Sequence, residues 1–270
     1  MGGESDFAEV AWRGRRVQLE YRWIGSPNAG STPVVFLHEG LGSLAMWKDY
    51  PARLCAELGL PGLVFSRPGY GRSTPRGTEE SWGPDFMHEQ AREVLPGLFD
   101  ALNIDRPWLF GHSDGASIAL LHAATFDVAG VVAVAPHVFV EDLSILNIER
   151  ARRAYVDGGL RAALARYHDE PDSAFWGWNR IWLAPEFRDW NIEADLDRIR
   201  CPVLAVQGED DEYGTLEQIR AIARRLPKTR LLVIPNCAHS PHRDQPQRLS
   251  SEAARFIHEH TLPRAGTTHA

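Results

Sequence analysis

The fold of this chain is decided by the stretch Trp108-Leu109-Phe110-Gly111-His112-Ser113-Asp114-Gly115-Ala116-Ser117. Its apolar start is typical of a buried strand, and residues 118–125 favour a helix. A strand that turns into a helix at one residue crowds the backbone, which explains a glycine two positions before and two positions after Ser113. The serine hydroxyl is therefore predicted to project from the end of a sheet, above a helix N-terminus that stabilises negative charge.

Short apolar runs recur along the chain and alternate with helical patterns. The runs predicted to be buried strands are residues 34–37, 62–65, 108–110, 131–135, 203–206 and 231–234. Helical spacing occurs at 43–58, at 85–102 with a kink expected at Pro96, and at 215–226. Residues 16–24 alternate apolar and polar side chains, which predicts a half-exposed strand at a sheet edge. The whole pattern predicts an α/β protein with a mostly parallel central sheet and helices on both faces.

The interval between residues 136 and 203 is longer than a simple crossover requires. Helical spacing at 148–168 is followed by a stretch rich in aromatic side chains, among them Trp176, Trp178 and Trp182. We interpret residues 137–202 as an inserted helical cap or lid, and residues 1–136 with 203–270 as the core domain. The three tryptophans are candidates for lining a ligand cavity, and the alternative is that they only hold the insertion on the core.

Composition excludes several classes of function. The net charge of −7 disfavours nucleic acid and anionic membranes as partners. Residues 1–10 lack the features of a signal peptide, and no apolar run is long enough for a membrane span. The three cysteines, Cys55, Cys201 and Cys237, are too few for a disulfide framework and fit a reducing compartment. We expect a cytoplasmic protein with a small-molecule substrate, no cofactor, no metal and a possible homodimeric assembly.

A serine hydroxyl becomes a nucleophile when a histidine, oriented by a carboxylate, removes its proton. His239 follows the run 231–234 by a short loop, so it is predicted at the same sheet edge as Ser113, with His242 as the local competitor. Four acids, residues 209–212, follow the run 203–206 at that edge. Within them we prefer Asp211, with Asp210 as the alternative, and the chain order is then Ser, Asp, His.

The reaction also requires hydrogen-bond donors for the developing oxyanion. The backbone N–H of Asp114, directly after the serine, is one candidate. The second is expected from the glycine-containing loop at residues 38–42, with Gly40 preferred and Leu41 as the alternative.

Together these motifs resemble the α/β-hydrolase superfamily, in its capped single-domain branch, over residues 34–256. GHSDG resembles the nucleophile elbow, HEGLG the His-Gly oxyanion loop, and SRPGYGRS (66–73) the Asp-x-x-Gly-x-Gly-x-Ser loop. GEDD (208–211) matches the Gly-x-x-Asp acid turn, which favours Asp211. AHSPH (238–242) resembles the Gly-His-x-x-His segment, which places the base at His239. The resemblance implies the α/β-hydrolase fold and a triad of Ser113, Asp211 and His239.

Two positions depart from the family pattern. Glu39 stands where the family usually has glycine, and Ser66 stands where it usually has aspartate. A carboxylate beside an oxyanion site is unfavourable in a low-dielectric environment. Glu39 is therefore expected to point away, to be paired with Arg67 or Arg72, or to be protonated.

The serine at the elbow predicts hydrolysis of a carboxylic ester through an acyl-enzyme. Dehalogenases and epoxide hydrolases of the superfamily carry aspartate there, so their chemistry is disfavoured. A C–C bond, lactone or thioester hydrolase with the same triad is the alternative, and a non-catalytic ligand-binding member is a third interpretation. Ser-Asp-Gly elbows are similar to those of hydrolases acting on α-amino esters, which suggests that Asp114 and Glu39 favour neutral or amino-bearing esters. The alternative is that Asp114 bonds only to nearby backbone and does not contact the substrate.

Overall fold

A computed structural model describes residues 5–27, 32–77 and 80–261 of the chain. At its centre lies an eight-stranded sheet with the spatial order β1-β2-β4-β3-β5-β6-β7-β8. The strands are β1 (Asp6–Trp12), β2 (Arg15–Ile24), β3 (Val34–Leu37), β4 (Gly62–Phe65), β5 (Trp108–His112), β6 (Gly130–Val134), β7 (Val203–Gly208) and β8 (Arg230–Ile234). The strands from β4 through β8 pair in parallel, and β2 is antiparallel to both of its neighbours. The predicted α/β class with a mostly parallel sheet is confirmed.

Helices cover both faces of this sheet. They are α1 (Tyr50–Leu58), α2 (Phe86–Glu89), α3 (Leu95–Leu102), α4 (Asp114–Ala123), α5 (Asp142–Val156), α6 (Leu160–Leu164), α7 (Pro171–Trp182), α8 (Glu193–Leu196), α9 (Glu217–Arg225), α10 (Pro241–Asp244) and α11 (Pro246–Thr261). Helices α1 and α11 pack on one face, whereas α3, α4 and α9 pack on the other.

Strands formed by continuous apolar runs contribute side chains to the hydrophobic clusters on both faces of the sheet. Val34 and Phe36 of β3 join the cluster under α1 and α11, whereas Val35 and Leu37 join the cluster on the opposite face. Successive side chains of a strand point to opposite sides, so a strand covered by helices on both faces needs an apolar residue at every position.

The prediction that residues 16–24 form an edge strand is wrong. Strand β1 lies outside β2 and pairs with it along its whole length, from Asp6 opposite Tyr21 to Trp12 opposite Arg15. Ala8, Val10 and Trp12 alternate with exposed residues and are buried. Because their neighbours Phe7 and Ala11 are also apolar, the alternation is not evident in the sequence. Strand β1 takes the edge position.

The helical stretch predicted at 85–102 is interrupted where the kink was expected. Helix α2 passes into a π-helical turn, Gln90–Val94, before α3 begins at Leu95. Pro96 has no N–H, and its ring would collide with the carbonyl four residues earlier in a regular α-helix. The wider π turn directly before it removes that conflict.

Helices α5 to α8 lie between β6 and β7, in residues 137–202, which we interpret as an insertion and call the inserted segment. The helix predicted at 148–168 is divided, because α5 ends at Val156 and α6 begins at Leu160 after two glycines. Tyr155 stacks on Phe175 of α7 with ring centroids 3.7 Å apart. The two ends of the segment meet, since the Ile192 N–H donates to the Val138 carbonyl at 2.8 Å.

Within the part of the chain that the structure describes, no helix is both long and apolar enough to cross a membrane. The same described residues contain no group of three or more His, Cys, Asp or Glu side chains suited to holding a metal ion.

Candidate active site

Ser113 occupies the junction between β5 and α4. Its φ of 54° and ψ of −122° lie in a region that non-glycine residues rarely adopt. A Cβ at Gly115 would lie 2.2 Å from the Leu37 carbonyl oxygen, and one at Gly111 would lie 2.4 Å from the Gly115 oxygen. The glycines on both sides of the serine are thus required by close backbone contacts, as the sequence predicts.

The structure brings Ser113, Asp211 and His239 together. His239 Nε2 lies 3.0 Å from Ser113 Oγ, and its Nδ1 lies 2.8 Å from Asp211 Oδ1 and 3.0 Å from Oδ2. The serine follows β5, the aspartate follows β7, and the histidine follows β8. All three strands present their carboxyl ends at one sheet edge, which is why residues so distant in the chain meet.

Asp211 is held by a larger set of donors. Its carboxylate accepts hydrogen bonds from the backbone N–H of Tyr213 at 2.8 Å and from Gln207 Nε2 at 3.0 Å. Burial opposes ionisation, but the neighbouring His239 and these donors outweigh it and hold the pKa of Asp211 below its ordinary value. Asp210, the alternative acid, is exposed.

His239 lies beside several carboxylates, with 11% of its side chain exposed. Burial favours its neutral form, but Asp211 first, then Glu212 and Glu39, outweigh that effect and raise the pKa of the imidazole above 6.5. The competitor His242 lies elsewhere, with its ring 4.9 Å from that of Trp47 and 4.7 Å from that of His112. The arrangement suits an imidazole that takes a proton from Ser113 while Asp211 stabilises the resulting charge.

The loop at residues 38–42 follows β3 and lies beside this group. His38 Nε2 accepts from the Arg67 N–H at 3.0 Å, so its Nδ1 carries the proton and donates to the Glu39 carbonyl at 2.7 Å. Among the described residues, the N–H groups of Gly40 and Leu41 have no hydrogen-bond partner. Either group is therefore available as a donor, alongside the N–H of Asp114 in the first turn of α4.

Glu39 is paired, although not with the arginines predicted from the sequence. Its Oε1 accepts from Arg243 at 3.0 Å, and its Oε2 lies 3.4 Å from His112 Nδ1. Arg67 donates instead to the Glu39 backbone carbonyl, and the Arg72 N–H donates to Glu20. Burial would raise the pKa of Glu39, but His112 and Arg243 outweigh it and hold that pKa well below the ordinary value. The prediction of Arg67 or Arg72 as partner is wrong, because Arg243 of α10 places its guanidinium against the Glu39 carboxylate.

The Asp114 side chain is buried beside the nucleophile, with an exposed fraction of 1%. Its nearest cationic atom is an Arg67 nitrogen at 4.0 Å, and among the described residues its Oδ2 has no hydrogen-bond partner. Burial raises the pKa of this carboxyl to about 6, against the opposing effect of Arg67. The carboxyl group is thus poised between its neutral and ionised forms near neutral pH.

The three predicted tryptophans of α7 lie in different surroundings. The Trp178 indole lies over Gly40, where an added Cβ would meet its Nε1 at 2.2 Å. Trp182 lies near Asp114, and its ring is 5.0 Å from that of His137. Trp176 is half-buried and packs on Tyr155 and Phe175 within the inserted segment. The first two therefore border the candidate site, whereas Trp176 contributes to the packing of the insertion.

The sequence analysis did not identify two residues that lie near the site, Tyr213 and His137. The ring of Tyr213 is 4.8 Å from that of His239, and the ring of His137 is 5.9 Å from it. Burial lowers the pKa of His137 to about 3, so this imidazole is neutral. His137 could have been predicted as a site residue from the sequence, because it lies just after β6. The strand-end rule that selected His239 applies equally to it.

Comparisons with known proteins identify a family and several relatives of this chain. The model of the alpha/beta hydrolase family matches residues 34–252. A putative carbamate hydrolase, RutD, of Caulobacter sp. (strain K31) is 28% identical over 265 residues, which cover 88% of this chain and 95% of that protein. A proline iminopeptidase of Levilactobacillus brevis is 21% identical over 288 residues, which cover 91% of this chain and 95% of that protein.

The fold also has close counterparts among solved structures. The crystal structure of VinJ matches with a TM-score of 0.74 at 23% sequence identity, and the match covers 94% of this chain and 98% of that chain. At this level of identity the likeness supports the fold, and the chemistry has to be argued from the side chains.

Proposed function

Since the chain belongs to the alpha/beta hydrolase family, we propose that it is a serine hydrolase that cleaves a small to medium carboxylic ester through an acyl-enzyme. The observation that carries the proposal is the continuous hydrogen-bonded chain from Asp211 through His239 to Ser113. A serine on a strained turn, within reach of a histidine that a buried carboxylate orients, is the arrangement that acyl transfer requires.

In the proposed reaction, Ser113 Oγ attacks the carbonyl carbon of the ester while His239 Nε2 takes its proton. Asp211 holds the imidazole in the tautomer with its proton on Nδ1 and stabilises the imidazolium that forms. His239 then protonates the leaving alcohol, and an acyl group remains on Ser113. In the second half, His239 removes a proton from water, which attacks the acyl carbon. The bond between that carbon and Ser113 Oγ then breaks, His239 gives the proton to Oγ, and the acid is released.

The negative charge that develops on the carbonyl oxygen needs donors that are already in place. We assign this role to the backbone N–H groups of Asp114 and Gly40, with Leu41 as the alternative to Gly40. Their support is the N-terminal position of Asp114 in α4 and the lack of another partner for the two loop N–H groups among the described residues. Ionised Glu39 does not oppose this charge at full strength, because its carboxylate is paired with the Arg243 guanidinium at 3.0 Å.

We propose that residues 137–202 act as a cap that bounds the substrate. The contact of Trp178 with the loop at Gly40, and the position of Trp182 near Asp114, support an apolar surface for the acyl or alcohol group. We further propose that Asp114 favours neutral or amino-bearing esters, since a buried carboxyl beside the nucleophile penalises an anionic substrate group.

A second candidate reaction is hydrolysis of a carbamate. The observation that favours it is the 28% identity with the relative named as a putative carbamate hydrolase. The same nucleophile, base and oxyanion donors would act on a carbamate carbonyl, and equally on a lactone or thioester.

A fluorophosphonate probe tests the nucleophile directly. Wild-type protein is expected to be labelled at Ser113, and Ser113→Ala is expected to abolish the labelling. Ser251→Ala, which alters an exposed serine of α11, is the matched control and is expected to label normally. Labelling that persists in Ser113→Ala, or is absent from folded wild-type protein, contradicts the proposal.

A substrate panel then separates the reaction classes. The panel contains p-nitrophenyl esters of increasing acyl length, α-amino esters with matched desamino esters, lactones, thioesters and aryl carbamates. The ester proposal predicts the highest kcat/KM on a short or medium ester, and a higher value on a carbamate would favour the second candidate. Equal kcat/KM for amino and desamino esters, unchanged in Asp114→Asn, would reject the role given to Asp114.

A further inference from the structure

The Glu39 carboxylate lies between three of the segments that supply groups of the proposed reaction. Glu39 precedes Gly40 in the loop after β3. His112 precedes Ser113 at the end of β5, and Arg243 lies in α10, which follows the loop that bears His239. The sequence gives Glu39 no evident role there, since a carboxylate beside an oxyanion site is unfavourable.

The contacts of Glu39 reach both of the other loops. Its Oε1 accepts a hydrogen bond from Arg243 at 3.0 Å, and its Oε2 lies 3.4 Å from His112 Nδ1. On the other side of its ring, His112 Nε2 lies 2.7 Å from the backbone carbonyl oxygen of His239. A carbonyl oxygen can only accept, so Nε2 carries a proton and donates it. A continuous path therefore runs from Glu39 through His112 to the backbone of the proposed base.

The surroundings leave this carboxylate little freedom. The exposed fraction is 15% for the Glu39 side chain and 1% for that of His112. A Cβ at Gly42 would lie 2.5 Å from Glu39 Oε2, so the glycine leaves room for the carboxylate. The His242 ring lies 4.7 Å from that of His112 and fills the space on its other side. Because the position is crowded and its polar atoms are in contact with two of the other segments, the contacts define one arrangement of the three loops.

We propose that Glu39 is a positioning residue that fixes the oxyanion loop, the nucleophile and the base loop relative to one another. The inference rests on the proposed function. Glu39 acts through His112 and Arg243 rather than on the substrate. Asp211 orients the His239 ring, whereas Glu39 fixes the backbone that carries this ring, so the two carboxylates have separate tasks.

Three variants test the inference. Glu39→Ala removes both contacts. Glu39→Gln keeps the size of the side chain and an oxygen that accepts from Arg243, but removes the negative charge. The matched control is Glu259→Gln, which alters an ion pair with Arg230 of 2.6 Å on the exposed surface. The measurements are the second-order rate of fluorophosphonate labelling at Ser113, and kcat and KM on the best ester of the panel.

Glu39→Ala is expected to lower the labelling rate and kcat by about 10- to 100-fold, since small displacements of reacting groups have effects of this size. KM is expected to change by less than about threefold, because Glu39 does not contact the substrate. Glu39→Gln is expected to recover most of the lost rate, and Glu259→Gln is expected to match the wild type. Loss of stability alone would not produce this separation of kcat from KM with rescue by glutamine.

A pH profile provides an independent readout. The charged and titratable groups around His239 are the carboxyl groups of Asp211, Glu212, Glu39 and Asp114, the Tyr213 phenol, and the imidazoles of His112, His137 and His242. An ionised carboxylate stabilises the imidazolium, so removing the charge in Glu39→Gln is expected to move the acidic limb of kcat/KM to lower pH. The limb of Glu259→Gln is expected to stay in place.

The outcomes separate this inference from the proposed function. Wild-type labelling rates in Glu39→Ala, or equal losses in the alanine and glutamine variants, overturn the positioning role while the proposed function stands. Failure of wild-type protein to label at Ser113 overturns both. An acidic limb that does not move in Glu39→Gln contradicts the electrostatic link between Glu39 and His239.

Discussion

The pKa of the Asp114 carboxyl lies well above that of an ordinary aspartate. Asp114 lies one residue after Ser113 with an exposed fraction of 1%, and burial raises its pKa from 3.8 to about 6. An unfolded chain ionises this group near 3.8, so the folded state holds the proton more tightly. The native state therefore loses stability as pH rises from 3.8 to 6, and the loss is complete above that range.

We predict that Asp114→Asn stabilises the protein at alkaline pH. Asparagine resembles the neutral acid, and the pKa difference corresponds to an upper limit of about 3 kcal/mol at 1.36 kcal/mol per unit. The expected gain in free energy of unfolding is therefore about 1–3 kcal/mol at pH 8 and smaller at pH 5. Urea unfolding of wild type and variant at both pH values measures it. A gain at pH 5 that equals or exceeds the gain at pH 8 would contradict the burial argument.

At the scale of elements, the packing of α4 against β3 decides the shape of the site. Gly115 lies in the first turn of α4, where its Cα approaches the backbone at Leu37 and His38. This close approach packs the first turn of α4, which contains Asp114, against the backbone where the loop at residues 38–42 begins. The two proposed oxyanion donors come from different elements, so their separation depends on this contact.

Gly115→Ala is expected to separate α4 from β3. Its Cβ would lie 2.2 Å from a backbone oxygen, which cannot rotate away as a side chain does. We expect a loss of stability of about 1–3 kcal/mol from overpacking, together with a lower kcat. Gly159→Ala is the matched control, because no heavy atom lies within 4 Å of its added Cβ, and its effect should stay within about 0.5 kcal/mol. Similar unfolding curves for the two variants would rule out the close-contact explanation.

At the scale of the whole molecule, the inserted segment lies over the carboxyl edge of the sheet. Trp178 of α7 contacts the loop after β3, and Trp182 lies near the first turn of α4. The segment is joined to the sheet through β6 and β7, whereas the loop it covers follows β3. The space around Ser113 is therefore defined jointly by distant parts of the chain.

We predict that Trp178→Ala changes which esters are accepted. Removing the indole frees space over Gly40, so kcat/KM should fall for short acyl chains and rise relative to them for longer ones. Trp176→Ala removes the same side chain from the same helix, but at a position packed on Tyr155 and Phe175. This control is expected to alter stability without altering the chain-length profile. Identical profiles for both variants would show that Trp178 does not bound the substrate.

The sequence determined the fold class and the identity of the three residues that meet. Short apolar runs encode buried strands, and each of Ser113, Asp211 and His239 directly follows such a run. Because parallel strands end at one edge, a local pattern is sufficient to predict that these residues share that edge. The need for Gly111 and Gly115 was also predictable from the sequence, since a strand-to-helix turn crowds the backbone at these two positions.

Only the tertiary structure decided the contacts between loops. Glu39 pairs with Arg243, which is 204 positions away, and not with the nearer Arg67 or Arg72. Strand β1 takes the sheet edge that was assigned to β2, and His137 joins the surroundings of His239. Charge pairing and edge order depend on which surfaces pack together in three dimensions, and no local periodicity records this choice. Residue spacing along the chain determines which side chains lie at the carboxyl edge of the sheet. Tertiary packing determines which of those side chains are in contact.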